Sequence, residues 1–349
     1  MKKIESSFIL CLIIIVFACC GKGDATQSDK VLFGQEPEVK ENVRIHRFEV
    51  ALFAPSKEST REHLLSIEKD FKPMFAASLS DNRYMQVVES FVEDREMKRA
   101  YKEVKQEYPD LKFLEKELSE AISRMKQIRK DSVKTDIYTL MVGPMEYSYA
   151  YENRILVYPE FSAISIDLYS MDRLSEHPYY KSMPKYLQSS LTKDNIVPDY
   201  VYTYLREITF RDVPLQSMNP EASFLDCIID EGKYIYATQA VLKDCKLNLI
   251  LRYTEKELEW VEKNESNIWG YIIQNQLLYN KDRTKYMHLT AQGPGTKNIA
   301  GSPSRIGYYI GYKIVQNYMR ENSVSLDSLF KISDSELILR ESKYKPENH

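Results

Sequence analysis

The chain has 349 residues, 43% of them hydrophobic and 28% charged, which is enough to bury a full core. Its formal charge of -3 supplies no broad basic field, and no Lys/Arg block interleaved with aromatics tracks a phosphate backbone. Nucleic acid is therefore excluded as a partner, and disorder is confined to the ends.

The N-terminus reads as an address. Lys2 and Lys3 precede an apolar run from Phe8 to Ala18, about eleven residues where a membrane span needs roughly twenty. Residues 1–18 are thus expected to be a signal peptide. The run ends "VFACCGKGD", with Val16 and Ala18 three and one residues before Cys19, which resembles the lipobox of bacterial lipoproteins. Cys19 is the expected lipid-attachment residue. Cys20 is the competing position, although it would put a cysteine where the lipobox usually has Gly, Ala or Ser. A membrane-anchored lipoprotein of the cell envelope follows, its domain facing the periplasm, with the choice between inner and outer membrane open. Residues 19–41 are polar and without periodicity, and read as a flexible tether ahead of a domain over 42–349.

That domain is predicted to be α+β, mainly helical with a small mixed sheet. In "NVRIHRFEVALF" the alternation of Phe48, Val50 and Leu52 predicts a strand over 43–53. Ser59 and Glu62 have capping-box spacing, so a helix starts there. The alternating charges of "VEDREMKRAYKEVKQE" predict a solvated helix face. Leu111, Leu114, Leu118, Ile122 and Met125 form a core stripe at helical period. Two strand segments follow, 135–143 and 155–171, the second broken at Pro159, which has no N–H for a ladder.

Beyond residue 185 the pattern turns helical. Thr254 and Glu257 open one helix with Leu258, Val261, Ile268, Trp269, Ile272 and Ile273 inward; Ser333 and Glu336 open another. Cys227 and Cys245 could pair in an oxidising compartment, but on one continuous helix they would stand roughly 27 Å apart, so only a break near Gly232 would allow the bond.

In "GSPSRIGYYIGYKIVQNYM", 301–319, Ser302 is the expected N-cap and Pro303 the first helical residue. Ile306, Ile310, Ile314 and Tyr318 make the buried stripe. Gly307 and Gly311 each cost about 1 kcal/mol of helix propensity, which implies close approach of another backbone or a ligand. Arg305 opposes the helix dipole, and either faces solvent or meets an anionic group such as a peptide carboxylate.

The segments "PKYLQSSLTKDNIVPDYV" (184–201), "IIDEGKYIYA" (228–237), "KNESNIWGYIIQNQLLY" (263–279), 301–319 and "SKYKP" (342–346), in this order and spacing, resemble the gliding-motility lipoprotein GldB family. The likeness runs from about 44 to 346. It implies a cell-envelope lipoprotein linked to gliding motility and to type IX secretion machinery, working through contacts with envelope proteins; whether the organism glides, and what the partner is, do not follow.

The family is also distantly similar to zinc peptidases, so the fold is expected to be a degenerate zincin-like one of the gluzincin type. A zincin carries two histidines at i and i+4, a glutamate base after the first, and a third ligand farther on. In "YLREITF" Arg206 and Phe210 hold the histidine positions, Glu207 holds the base position, and Glu231 is the carboxylate that would be the third ligand. Phenylalanine has no lone pair for zinc and arginine stays protonated. The expectation is a pseudoenzyme with no metal and no cofactor, in which Glu231 pairs with Arg206. The alternative is a membrane-anchored zinc hydrolase with a non-standard site. No G-x-S-x-G, Walker or G-x-G-x-x-G motif offers another chemistry.

Overall fold

The computed structural model describes residues 28–34, 38–129 and 135–346. The expected signal peptide, Cys19, Cys20 and His349 lie outside them. The first described element falls inside the stretch read as a tether. Helix α1 (Asp29–Phe33) buries Leu32 and Phe33 in the main core, and Arg124 grips the Asp29 carboxylate with both terminal nitrogens at 3.0 and 3.1 Å.

Four strands form one mixed sheet in the order β1-β2-β4-β3: β1 (Arg44–Arg47), β2 (Asp136–Leu140), β3 (Ile155–Val157) and β4 (Ser162–Ser165). The β1–β2 and β2–β4 pairs are parallel, with Ile45 opposite Ile137, and β3–β4 is an antiparallel hairpin with Ile155 opposite Ile164. Pro159 sits in the turn of that hairpin, closed by the Tyr158 N–H on the Phe161 carbonyl at 2.9 Å. The break expected there is present.

The first strand is shorter than its alternation predicts. After Arg47 the backbone enters helix α2 (Phe48–Leu52), burying Phe48 and Leu52 four residues apart. The same residues satisfy either period over so short a run. Tertiary contact decides: Glu49, fully buried, receives Arg47 Nε at 2.8 Å and Thr139 Oγ1 from β2 at 2.7 Å.

The parallel join from β1 to β2 needs a crossover, and helices supply it. They are α3 (Thr60–Ile67), α4 (Asn82–Glu93), α5 (Arg95–Glu107) and α6 (Lys112–Ile128). Both halves of the Ser59–Glu62 capping box form. Asp94 divides the charged run into two helices, and α5 buries Met97, Ala100, Tyr101 and Val104 while its charges face outward. The Leu111–Met125 stripe of α6 is buried throughout. A small separate core of Phe48, Leu52, Leu64, Leu79, Met85 and Val92 lies beneath α2, α3 and α4.

The remaining helices build the main core. Short α7 (Tyr147–Glu152), α8 (Met171–Leu174) and α9 (Lys185–Gln188) lead to α10 (Ile196–Tyr204) and to α11 (Phe224–Val241), which is buried along most of its length. Then come α12 (Leu247–Leu251), α13 (Glu255–Lys263), α14 (Glu265–Gln274) and α15 (Arg283–Tyr286), followed by α16 (Ile306–Asn322), α17 (Leu326–Lys331) and α18 (Ser335–Ser342). The α+β class, mainly helical with a small mixed sheet, is the observed one.

Three local expectations are corrected. The helix opened by the Thr254–Glu257 box breaks at Asn264, which leaves Ile273 46% exposed. The cap of α18 is Asp334, accepting from Leu337 N at 2.9 Å, one residue after Ser333. The cap of α16 is Arg305 and not Ser302. Cys227 and Cys245 are both free, since α11 runs unbroken through Gly232.

Candidate functional site

Helix α10 ends in a wider turn, Leu205–Thr209, closed by the Phe210 N–H on the Leu205 carbonyl at 2.9 Å. An inserted residue of this kind is frequent at functional positions and re-aims the side chains after it. Arg206 is held against α11, whereas Glu207 is exposed and takes no part in the site. Phe210 is buried in the core, its ring stacked 3.5 Å from that of Phe330, and the Arg129 guanidinium lies 5.1 Å from its centre.

Glu231 projects from α11 toward Arg206, as the sequence predicts. Its Oε1 accepts the Tyr202 hydroxyl at 2.8 Å, and its Oε2 lies 3.7 Å from Arg206 Nη1. Arg206 Nη1 also donates to the Tyr202 hydroxyl oxygen at 3.1 Å. Both carboxylate oxygens are therefore engaged by protein. Burial pushes the Tyr202 phenol up, and the Glu231 charge beside it adds to the effect.

Beyond this pair lies a narrow pocket bordered by Tyr202, Glu231, Arg252, Arg305 and Tyr308. Arg252 is the C-cap of α12 and Arg305 the N-cap of α16, and both have φ of 57°. The left-handed region is uncommon for side chains of this size, and such residues cluster at functional sites. Arg305 donates Nη2 to the Leu251 carbonyl at 2.5 Å, and its Nε is buried with no acceptor.

Behind the pocket, Asp199 of α10 is buried between two guanidinium groups. Arg154 Nε and Arg252 Nε each donate to it at 2.6 Å, and the Tyr169 hydroxyl donates at 2.8 Å. Burial alone would raise the Asp199 pKa, but the two arginines hold it well below the usual carboxylate range. One carboxylate thus serves two arginines. The excess positive charge registers on buried Tyr151: burial raises its pKa, yet Arg154, Arg252 and Arg305 outweigh that and lower it.

The other expected residues have structural work. Ser302 Oγ donates to the Ile299 carbonyl at 2.8 Å in the loop before α16. Gly307 and Gly311 face α11. A Cβ on Gly311 would run into the Ile228 carbonyl, and one on Gly232 would lie 2.5 Å from the Gly311 carbonyl group. The close backbone approach is real at Gly311, where its partner is α11; Gly307 meets the Phe224 ring of α11 and the Leu289 carbonyl.

The structure therefore gathers Arg206, Glu231 and Arg305, and leaves out Glu207 and Ser302. Tyr202, Arg252, Asp199, Arg154 and Tyr308 were missed. Nothing in "LILRYTEKE" distinguishes Arg252 from a surface arginine, because its partner Asp199 lies 53 residues away.

These residues do not fit zinc. Arg206 and Phe210 stand where the zincin pattern would require two histidines, and Glu231 accepts from Tyr202 and faces Arg206 at 3.7 Å. Among the described residues no three His, Cys, Asp or Glu side chains gather at a metal-binding spacing. The histidines are dispersed: His63 meets the Ala51 carbonyl, His177 lies by Glu96, and His288 meets Tyr271. Among the described residues no helix is long and apolar enough to cross a membrane.

No curated protein and no solved structure matches this sequence. The family model of gliding motility protein GldB matches residues 34–346, a span that takes in the sheet and every residue of the arginine-lined pocket and begins just after α1. The chain belongs to the GldB family of gliding motility proteins.

Proposed function

We propose that this protein is a lipid-anchored component of the cell envelope that supports gliding motility, or the type IX secretion machinery linked to it, by binding envelope proteins without catalysis. The family supports the motility role. The observation that carries the non-catalytic reading is the pairing of Glu231, which accepts the Tyr202 hydroxyl on Oε1 and faces Arg206 across 3.7 Å on Oε2. The Arg206 guanidinium stands beside the carboxylate where a zinc site would hold its cation, and zinc needs three or four protein ligands.

The fold is read as a zincin relative that has exchanged its metal for an ion pair. Arg206, at the first histidine position of the zincin pattern, meets Glu231, at the third-ligand position, at 3.7 Å. Phe210 contributes to the core instead of to a site.

Two measurements test this together. A Glu231→Gln variant keeps an acceptor for Tyr202 and is expected to restore motility or secretion in a deletion strain, while the purified wild-type protein carries far less than one zinc per molecule. Loss of complementation with undiminished protein level, or about one zinc per molecule, would overturn the proposal.

A further inference from the structure

The geometry points to the pocket between α14, α15 and the loop 291–298 as a binding site for the phosphate group of a small phosphate monoester. This goes beyond the motility reading, since it names a ligand chemistry on a part of the fold that the Arg206–Glu231 pair does not reach. Three observations carry it.

The first is charge. Lys285 and Lys297, both exposed, line the pocket, and no aspartate or glutamate does. Neither lysine forms an ion pair among the described residues. Asp282, just before α15, has its Oδ1 on the Thr284 N–H and hydroxyl at 3.0 and 2.7 Å. Glu257, which borders the adjoining groove with Lys297, has its Oε2 engaged in the Thr254 cap. The uncompensated charge registers on His288 in the pocket wall: burial lowers the imidazole pKa, and Lys297 lowers it further. Two cations without counter-ions suit a phosphate monoester, which carries nearly two negative charges at neutral pH where a carboxylate carries one.

The second is the donors. Gln292, Gly295, Lys297 and Asn298 line the pocket, and their backbone N–H groups reach no acceptor among the described residues. Asn298 has φ of 69°, and successive amides about a left-handed residue form a concavity that holds anions. A phosphate monoester offers such donors three strong acceptor oxygens.

The third is size and position. The cavity holds about 540 Å³, within the range of small-molecule sites and several times what a phosphate group fills. Tyr271 and Met287 give it an apolar wall for the body of the ester, and Tyr271 is fixed by its hydroxyl 3.2 Å from His288 Nε2. The pocket stands at the end of α11 away from α1. Phe224 packs on Tyr286 of α15, while Ala240, roughly 24 Å along the helix, accepts from Arg124, the residue that holds Asp29. A tether through α1 turns this pocket away from the anchoring bilayer, which favours a diffusible ester over a lipid headgroup.

The test is a calorimetric titration of the full-length protein in non-ionic detergent, at about pH 8 and constant ionic strength, where the monoester is a dianion. The probes are phenyl phosphate, inorganic phosphate, benzoate and a short-chain phosphatidylglycerol. Phenyl phosphate is expected to bind at least about tenfold tighter than benzoate, and tighter than inorganic phosphate or the lipid diester. Lys285→Gln and Lys297→Gln, at exposed positions that leave the fold intact, should each weaken it by at least about fivefold. The same change at exposed Lys98 on α5 should leave binding unaltered. Phenyl phosphate no tighter than benzoate, inorganic phosphate as tight as phenyl phosphate, the diester tighter than the monoester, no binding of any probe, or unchanged binding in the two pocket variants would each overturn the assignment.

Discussion

Two buried aspartates show opposite electrostatics in one molecule. Asp199, between Arg154 and Arg252, stays ionised far below ordinary pH. Among the described residues Asp167 has no cationic partner. Burial raises its pKa to about 6, against the pull of the Gly143 N–H, the Tyr180 hydroxyl and the Val142 N–H, and its Oδ1 has no partner. Its folded pKa lies above the unfolded value of 3.8, so its proton is held more tightly when the protein is folded. The stability it contributes is complete below about pH 4 and is lost as pH rises through about 6, a change of about 3 kcal/mol. Asp167→Asn carries no such proton. Its stability relative to wild type should rise by about that amount between pH 4 and pH 7. Urea melts across this range provide the check, and parallel curves for the two proteins would show the burial argument to be wrong. Neither aspartate could be told from a surface acid in the sequence, because burial and partners are tertiary properties.

At the scale of elements, the contact between α11 and α16 organises the main core. Gly232 and Gly311 let the two backbones touch, and the flanking Ile228, Ile310 and Ile314 are buried beside them. Gly311→Ala would gain about 1 kcal/mol of helix propensity and still be destabilising, because its Cβ meets the Ile228 carbonyl, a backbone atom that cannot swing aside. A net loss of about 3 kcal/mol is expected. Gly307→Ala should cost less. Its nearest neighbour is the Phe224 ring at 2.9 Å, a side chain with some freedom, although the Leu289 carbonyl at 3.1 Å limits the relief. Thermal melts of the two variants should separate clearly, and equal melting temperatures would remove the distinction between backbone and side-chain obstruction. The two glycines of α16 announced a close approach in the sequence; Gly232 and the identity of the facing helix did not.

At the scale of the molecule, the N-terminal segment connects the envelope reading to the fold. Helix α1 is docked by the Asp29–Arg124 pair, by Lys243 on the same carboxylate, and by the Phe33 ring under the Arg124 guanidinium at 4.7 Å. If Cys19 bears the lipid, ten residues separate it from Asp29. A segment of that length spans at most about 35 Å, so the body would sit close to the bilayer. Cys19→Ala is expected to move the protein from the membrane fraction to the soluble fraction and to abolish palmitate labelling. Retention of the label in that variant would transfer the anchor to another residue. The C-terminal end is tied down as well: buried Glu265 accepts the Tyr309 hydroxyl and the Tyr344 hydroxyl, each at 2.9 Å, joining α14, α16 and the "SKYKP" segment.

What the sequence by itself determined is whatever depends on neighbours within a turn or two: the two complete capping boxes at Ser59 and Thr254, the core stripe of α6, the hairpin break at Pro159, and the family, which rests on ordered local segments. Local periodicity and capping are set by contacts three or four residues apart, so they are written in the sequence. Tertiary structure decided the rest. Phe48–Leu52 left the sheet because Glu49 found Arg47 and Thr139; Arg305 capped α16 in place of Ser302 as its guanidinium reached the Leu251 carbonyl. The arginine pocket came from residues on α10, α11, α12 and α16 that have no common spacing. Its charge balance exists only where those helices meet, because electrostatic coupling depends on distance through space and on burial, and neither is carried by separation along the backbone.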